Sequence, residues 1–445
     1  MKKVLSTFFE FALGIFLYLF YLKRFNSYSE DQLKTRGLQR FRATLLKAMK
    51  ESEYYGIQLE PFKNEIEDSA ADKLPGVIEK IPILKKQDVR KNFHSIKSRK
   101  RYFFTKLYRT SGSTGEPLEY IKSAVNLAWE YAYHILYFSS SGAGFKHKMA
   151  VLRTYVPDSA ENFSKKDLIF PILWLSAYHM RPDVVLRYVE KLREFNGEYI
   201  RGYPSSLYIL AKYCLDHDIN DLKFAGAFSS SETLPKENRN VIEQAFGCKV
   251  SEYYGLSENV ISCYQCKEGD LYHINYDYGY FEVLKPDGTQ AQKGEKGVIV
   301  GTGFNNSVFP FIRYWTGDVC KIADRNCLCG KEGTFIEYIE GRLDDILLGE
   351  GGTPLPGVNF YSLFREFGSI DNFQIIQSSP TNFEVSLIVN SDFTPDTEKE
   401  IEIELRKRIG NAQQISYKYV DDLQKNSIGK VRSLIRKFEY EFELA

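Results

Sequence analysis

From residue 102 to about residue 342, short apolar runs rich in β-branched residues alternate with stretches of helical period, and this alternation constrains the fold most. Runs 149–153, 224–228 and 297–301 read as strands, and 184–195 and 206–216 read as helices. A chain that alternates in this way covers its sheet with helices, so the expectation is a layered α/β domain. Ahead of it, charged residues 29–53 read as a helix, and 74–89 (LPGVIEKIPILKKQDV) as a turn followed by a short helix. Beyond Gly341, strand-like 373–376 and 383–389, amphipathic 396–409 and strand-like 415–420 make a small α+β domain of about 100 residues. No internal repeat or low-complexity tract interrupts this order.

With 445 residues and 43% of them hydrophobic, the chain has material for two or three buried cores, which excludes disorder and a small disulfide scaffold. Lys+Arg at 59 against Asp+Glu at 58 leaves a formal charge of +1, so no global field gathers nucleic acid, and any anion site is local. Seven cysteines, an odd count without dense regular spacing, fit a reducing cytoplasm. Residues 11–22 (FALGIFLYLFYL) carry no charge and lie between Lys2, Lys3 and Lys23, Arg24. This is short of the about 20 apolar residues that a span needs, and extending it to Val4 takes in Ser6, Thr7 and Glu10. The following KRFNSYSE offers no cleavage site for export. The segment therefore packs on the main domain or contacts a membrane surface, with a marginal span as the third reading.

The densest chemical signal is 108–120 (YRTSGSTGEPLEY), with Ser111, Gly112, Ser113, Thr114 and Gly115 in one turn. Glycines that permit positive φ, flanked by hydroxyls, let backbone N–H groups wrap a phosphate. The Walker spacing is absent, and a lone run of this kind is more often a solvent loop.

An ordered series behind it changes that weighing: TSGSTGEP at 110–117, GYPSSL at 202–207, SSSETL at 229–234, EYYGLSE at 252–258, RYWTGD at 313–318, GRLDD at 341–345 and NSIGK at 426–430. In order and spacing this series resembles the adenylate-forming superfamily of acyl- and aryl-CoA ligases. Within it, the phenylacetate-CoA ligase and capsular-polysaccharide CapK-like branch is the nearest match. The resemblance covers about residues 75–435 and implies a hydrophobic N-terminal segment (1–28), an ATP- and acid-binding adenylation domain (29–340), a hinge (341–345) and a small mobile C-terminal domain (346–445).

By the same resemblance, Ser111 to Gly115 hold the β,γ-phosphates of ATP, although Pro117, Leu118 and Glu119 stand where many relatives carry a lysine. Ser230, Ser231 and Glu232 form the adenine-side loop, and Tyr254 beside Gly255 stacks on adenine. Glu258 binds Mg²⁺, Asp318 accepts from the ribose hydroxyls, and Arg342 reaches the ribose or phosphate side. Asp344 is the hinge residue. Lys430 enters the site to stabilise charge at the α-phosphate as the acid attacks. No general base is required, because the acid is already ionised at neutral pH. Taken singly, each of these residues reads equally well as a core aromatic or a solvated surface charge.

Cys263 and Cys266, then His273, then Cys327 and Cys329 offer enough soft ligands for a tetrahedral Zn²⁺ site. The resemblance favours Cys266, His273, Cys327 and Cys329, with Cys263 as the alternative; reduced buried thiols are the other reading. Cys214, Cys248 and Cys320 look isolated. The implied activity is ATP-dependent conversion of a small carboxylic acid to an acyl-adenylate, with transfer to a thiol, coenzyme A foremost. One alternative is transfer to an amine, hydroxyl or carrier in capsular polysaccharide or secondary metabolite biosynthesis; another is a non-catalytic nucleotide-binding scaffold. The acid is expected between the helix near His134–Ser140, the GYPSS loop and Tyr253, where aromatic and small residues suit an aryl or medium acyl group. A homodimer is the ordinary prior.

Overall fold

The computed structural model describes the chain apart from residues 1, 71–72, 110–117, 154–162, 177–181, 232–233, 343–345, 350–353, 357–359, 361–362, 365–366, 425–431 and 439–445. Helices α1 (Lys2–Leu17), α2 (Glu30–Glu51), α3 (Glu53–Gln58), α4 (Lys63–Asp68), α5 (Leu74–Ile78), α6 (Lys86–Lys91) and α7 (Phe93–Ile96) precede the first strand. The long helix α2 starts at Ser29, whose hydroxyl accepts from the Gln32 amide while the Gln32 side chain accepts from the Ser29 amide, a complete capping box.

Strands β1 (Thr105–Arg109) and β2 (Glu119–Ser123) form an antiparallel pair on either side of residues 110–117, and β2 runs into α8 (Ala124–Ser140). Then follow β3 (Met149–Arg153), β4 (Ser164–Lys166), β5 (Ile172–Ser176), α9 (Pro182–Phe195), β6 (Tyr199–Gly202), α10 (Pro204–Asp216), β7 (Gly226–Ser230), α11 (Lys236–Phe246) and β8 (Val250–Gly255). Next come β9 (Ser262–Gln265), β10 (Tyr272–Ile274), β11 (Gly279–Leu284), β12 (Lys296–Gly303), β13 (Tyr314–Ile322) and β14 (Phe335–Arg342).

Strands β3 to β14 join in one sheet of order β11-β12-β13-β14-β10-β9-β8-β7-β6-β3-β5-β4. Strands β8, β7, β6, β3 and β5 pair in parallel, whereas pairing from β8 through β9 to β11 is antiparallel. Successive side chains leave a strand on opposite faces, which sorts the core of the parallel half into two layers. Ala150, Leu152, Ile200, Ala227 and Val250 pack with residues of α9, α10 and α11. On the opposite face Tyr199, Phe228 and Tyr253 pack with Tyr137 and Phe138 of α8.

The antiparallel half is covered by α2, where Phe41 packs on Tyr280 and Phe304, and buried Asp277 accepts from Arg36 and Arg40. Buried Arg313 pairs with Glu282 and donates to the carbonyls of Glu79 and Ile81, which ties the lead-in segment to the sheet. The helix α1 lies along α8: an added Cβ on Gly14 would come within 2.6 Å of Tyr131 Cβ, and Tyr18 and Leu22 are buried against Ala132, Tyr133 and Leu136. Among the described residues no helix is long and apolar enough to cross a membrane.

The C-terminal unit has a core of its own, from Leu347 through Phe373, Val385 and Leu405 to Leu434. It contains the short pair β15 (Ile346–Leu348) and β16 (Pro354–Pro356), and a second sheet built from β17 (Ile370–Ser379), β18 (Asn382–Val389), β19 (Gln414–Tyr419) and β20 (Leu434–Arg436) in the order β19-β18-β17-β20, with α12 (Pro395–Ile409) crossing between β18 and β19. The molecule is thus mixed α/β, a large domain followed by a small α+β domain, as the pattern of runs leads one to expect.

Candidate active site and metal centre

Parallel strands in an open sheet present ligand sites at their carboxyl ends, where the following loops diverge. Ser230 ends β7 and Ser231 follows at φ +78°, a left-handed backbone that a serine adopts only when its surroundings hold it there. Arg153, at the end of β3, donates through Nη2 to Ser231 Oγ at 2.6 Å. At the end of β8, the Tyr254 hydroxyl donates to Asp318 Oδ2 at 2.6 Å. Burial and the Asp318 charge push the Tyr254 pKa well up, so the phenol stays protonated and remains a donor. Asp318 lies on β13, its amide donating to Thr316 Oγ1, and its register partner is Arg342 on β14. Gly255 leaves no room for a side chain, since an added Cβ would meet the Tyr253 ring at 2.8 Å.

Glu258 is buried in the turn after β8. Tyr314 donates to its Oε1 at 3.0 Å and Ser257 to its Oε2 at 3.2 Å. The Ser257 carbonyl in turn accepts from the Tyr120 hydroxyl at 2.8 Å. Tyr120 sits on β2, so the start of that strand is fastened beside Glu258. Lys122 on the same strand is buried, 5.0 Å from the Tyr108 ring centre, and burial lowers its pKa while Glu130 and Glu258 oppose that shift.

Of the residues singled out by sequence, Ser230, Ser231, Tyr254, Gly255, Glu258 and Asp318 therefore gather at the ends of β7, β8 and the facing β13. Ser111, Gly112, Ser113, Thr114, Gly115, Glu232, Asp344 and Lys430 lie outside the described residues, as does the side chain of Arg342. Sequence reasoning missed Tyr314, Lys122, Arg153 and Arg201. The last two close the apolar strands MAVLR and YIRG, and a cation at the carboxyl end of a buried parallel strand is the signal that marks them.

On the far side of β8, Cys266, His273, Cys327 and Cys329 place one ligand atom each within 4.8 Å of one another. Cys266 Sγ and Cys327 Sγ are 3.7 Å apart, as are Cys329 Sγ and His273 Nε2. Sulfur atoms about 2.3 Å from a tetrahedral zinc would be roughly 3.8 Å apart, so the donor set and its spacing fit that ion. Burial pushes the His273 pKa down to about 4, which keeps the imidazole neutral and its lone pair available. Gly269 is required where the chain folds over the sulfurs: an added Cβ would be 2.1 Å from Cys327 Sγ. Cys263 is not part of the cluster. It lies within β9, buried with Ile336 and Tyr314, whereas Cys266 follows the last residue of β9 and packs with Cys327 and Phe335. The alternative ligand is thus corrected. Cys214 and Cys320 are buried and Cys248 partly so, each apart from the tetrad.

Residues 347–437 match the family model described as the CapK C-terminal domain. A crystal structure of 2-hydroxyisobutyryl-CoA ligase, in the postadenylation state with R3-HIB-AMP, superposes with a TM-score of 0.67 over 92% of this chain and 90% of that chain, at 16% identity. The chain has the adenylate-forming ligase fold. By sequence it is 27% identical over 371 residues to Protein CapK of Staphylococcus aureus, covering 81% of each. It is 25% identical over 348 residues to phenylacetate-coenzyme A ligase of Thermus thermophilus, covering 75% of this chain and 76% of the relative. A CapK protein, a phenylacetate-coenzyme A ligase and a CoA ligase solved with its acyl-adenylate thus agree with the resemblance carried by the motif series, over most of the chain.

Proposed function

We propose that this protein activates a carboxylic acid with ATP: a carboxylate oxygen attacks the α-phosphorus, the bond to the β-phosphate oxygen breaks, pyrophosphate leaves and an acyl-adenylate remains. The observation that carries this reading is the convergence of Tyr254, Asp318 and Glu258 beside the start of β2, which follows residues 110–117. Asp318, aligned by Tyr254, offers its carboxylate to the ribose hydroxyls. The Tyr254 ring and the Ser230–Ser231 turn border the adenine, with Glu232 and Gly255 beside them. Loop residues Ser111, Gly112, Ser113, Thr114 and Gly115 take the β,γ-phosphates, Arg342 reaches the ribose or phosphate side, and Lys430 offsets charge at the α-phosphate. Mg²⁺, when bound at Glu258, would neutralise the polyphosphate. Asp344 serves as the hinge about which the small domain turns before a thiol, coenzyme A foremost, takes the acyl group. Zinc at Cys266, His273, Cys327 and Cys329 would be structural, since four protein ligands leave no open position.

ATP–pyrophosphate exchange across a panel of aryl, fatty and sugar acids, with Lys430→Ala as control, tests the activity. Acid-dependent exchange lost in the variant supports it. ATP binding without exchange by any acid points instead to a nucleotide-binding scaffold. The match of 347–437 to the CapK C-terminal domain favours a second reading for the acceptor: an amine, hydroxyl or carrier of capsular polysaccharide synthesis. AMP release stimulated by coenzyme A, with thioester formed, separates the two.

We further infer that the N-terminal helix docks on an anionic membrane surface. Its inner face carries Gly14, Tyr18, Leu22 and Glu10, the last paired with Lys106 at 3.1 Å. Its outer stripe, Phe9, Ala12, Phe16, Leu19 and Phe20, is apolar yet exposed, which a water-facing helix avoids. Exposed Leu168 and Ile169 flank it on one side, where Phe170 touches Phe11, and Phe103 and Phe104 on the other, where Phe104 lies 6.5 Å from Phe9. The exposed cations Lys23, Arg24, Lys100, Arg101, Lys165 and Lys166 border this surface and fit an anionic headgroup layer. Cosedimentation with phosphatidylglycerol-containing but not with neutral vesicles, weakened in Phe16→Ser/Phe20→Ser, supports docking. Dimerisation in solution that the same variant abolishes, without vesicle binding, overturns it in favour of a second copy.

A further inference from the structure

Buried Arg313 and the half-buried Arg239 and Arg40 are anchored. Arg313 pairs with Glu282 and two backbone carbonyls; Arg239 bonds Glu252, the Val250 carbonyl and Gln265; Arg40 bonds Asp277 and Asn305. Arg153 and Arg201 differ. Val151 of β3 lies in register with Arg201 of β6, and Arg153 follows two positions on, so both side chains leave the same face of the sheet. That face also carries Phe228, in register with Arg201, then Ser230 and its partner Tyr253, and α8 covers it.

The two guanidiniums stand where the three walls expected around the acid meet. Arg201 lies 5.0 Å from the ring centre of Phe138 on α8, and Arg153 lies 4.7 Å from that of Tyr203 in the GYPSS loop. The ring of His134 on α8 is 4.7 Å from that of Tyr253 at the end of β8. Among the described residues, Arg153 donates to the neutral hydroxyl of Ser231 and to no carboxylate, and no carboxylate or carbonyl accepts from Arg201. Burial, and then the like charge of Arg153, lower the Arg201 pKa to about 9. His134, on the same wall, does not relieve this. His134 donates from Nδ1 to the Glu130 carbonyl, and burial with Arg201 and Arg153 lowers its pKa to about 3, so it is neutral with Nε2 as a bare acceptor.

Arg201, half-buried beside the half-exposed Arg153 and given no counter-charge among the described residues, makes an arrangement that a bound anion completes. We propose that this protein's acid substrate carries a second anionic group, a carboxylate or a phosphate ester, held by Arg201 and Arg153 while the first carboxylate is activated. The proposal rests on the adenylation reading for the reaction but not for the binding site. It replaces an uncharged aryl or acyl substrate with a dianionic one, and makes Arg201 and Arg153 specificity residues.

The test compares size-matched acids in the exchange assay, for example phenylacetate with its para-carboxylate and para-phosphate analogues, and butyrate with succinate. A second group bonded by charged donors is expected to raise kcat/KM by about 10- to 100-fold over the monoacid. Arg201→Met should erase that preference, bringing the diacid-to-monoacid ratio of kcat/KM to about one, while Arg201→Lys retains part of it and serves if the methionine variant folds poorly. The carboxylate and phosphate arms identify which group the pair takes. Thermal stabilisation by the dianionic acid alone, without ATP, lost in Arg201→Met, reads the site independently of chemistry. If that shift occurs but no acid supports exchange, the anion site stands and the adenylation reading fails. Preference for monoacids, or a drop in ATP affinity in Arg201→Met with acid selectivity unchanged, overturns the proposal and assigns the pair to a nucleotide phosphate.

Discussion

Tyr254 and Asp318 show how little a single residue discloses before its partner is known. They stand 64 positions apart, each reads alone as a core aromatic or a surface acid, and only the folded chain joins them at 2.6 Å. Tyr254→Phe keeps the ring and removes the donor, and a hydrogen bond to a charged group contributes about 1.5–3 kcal/mol, so KM for ATP should rise roughly 10- to 100-fold. An unchanged KM would separate Asp318 from the nucleotide. His134 carries a second prediction, in pH. Its pKa is near 6.5 in the unfolded chain and about 3 when folded, so its contribution to stability is complete above pH 6.5 and is lost as pH falls toward 3, while the unfolded state alone takes up the proton. Urea midpoints measured from pH 7 to pH 4 should fall less steeply in His134→Gln than in the parent. The motif residues were legible because their spacing is local. Arg153 and Arg201 were not, because a lone arginine after an apolar run looks like any solvated strand end until register puts two on one face.

At the scale of elements, β3, α9, α10, α12 and the sheet of the small domain follow closely from hydrophobic period, since each buries one well-marked face. The single twelve-stranded sheet does not follow, because pairing β14 with β10 joins segments more than sixty residues apart, and no local pattern encodes that choice. Where β9 ends was not legible, and the place of Cys266 just beyond it, rather than within it as Cys263 is, brings Cys266 into the tetrad. The seat of α1 depends on Gly14, whose missing side chain allows the helix to approach Tyr131 and Ala128. Gly14→Val should lift α1 from α8, and limited trypsin digestion should then cut at Lys23 or Arg24 faster than in the parent; equal rates would show that α1 is held elsewhere.

For the whole molecule, the metal centre ties β9 and β10 to the segment before β14, through ligands drawn from residues 266 to 329. Metal analysis should find about one zinc per chain, and Cys327→Ser or a strong chelator should lower Tm by several degrees without dissolving the separate core of residues 347–437. Loss of zinc with no change in Tm would remove its structural role. The covering of the large sheet has a further consequence for synthesis. Phe41 of α2 packs on Tyr280 and Phe304, and its arginines 36 and 40 pair with Asp277, so the first fifty residues complete none of these contacts until more than half the chain has been made. At about 5–20 residues per second, α2 waits beside the ribosome for tens of seconds with its apolar face uncovered, long enough for a chaperone to meet it before its own sheet does.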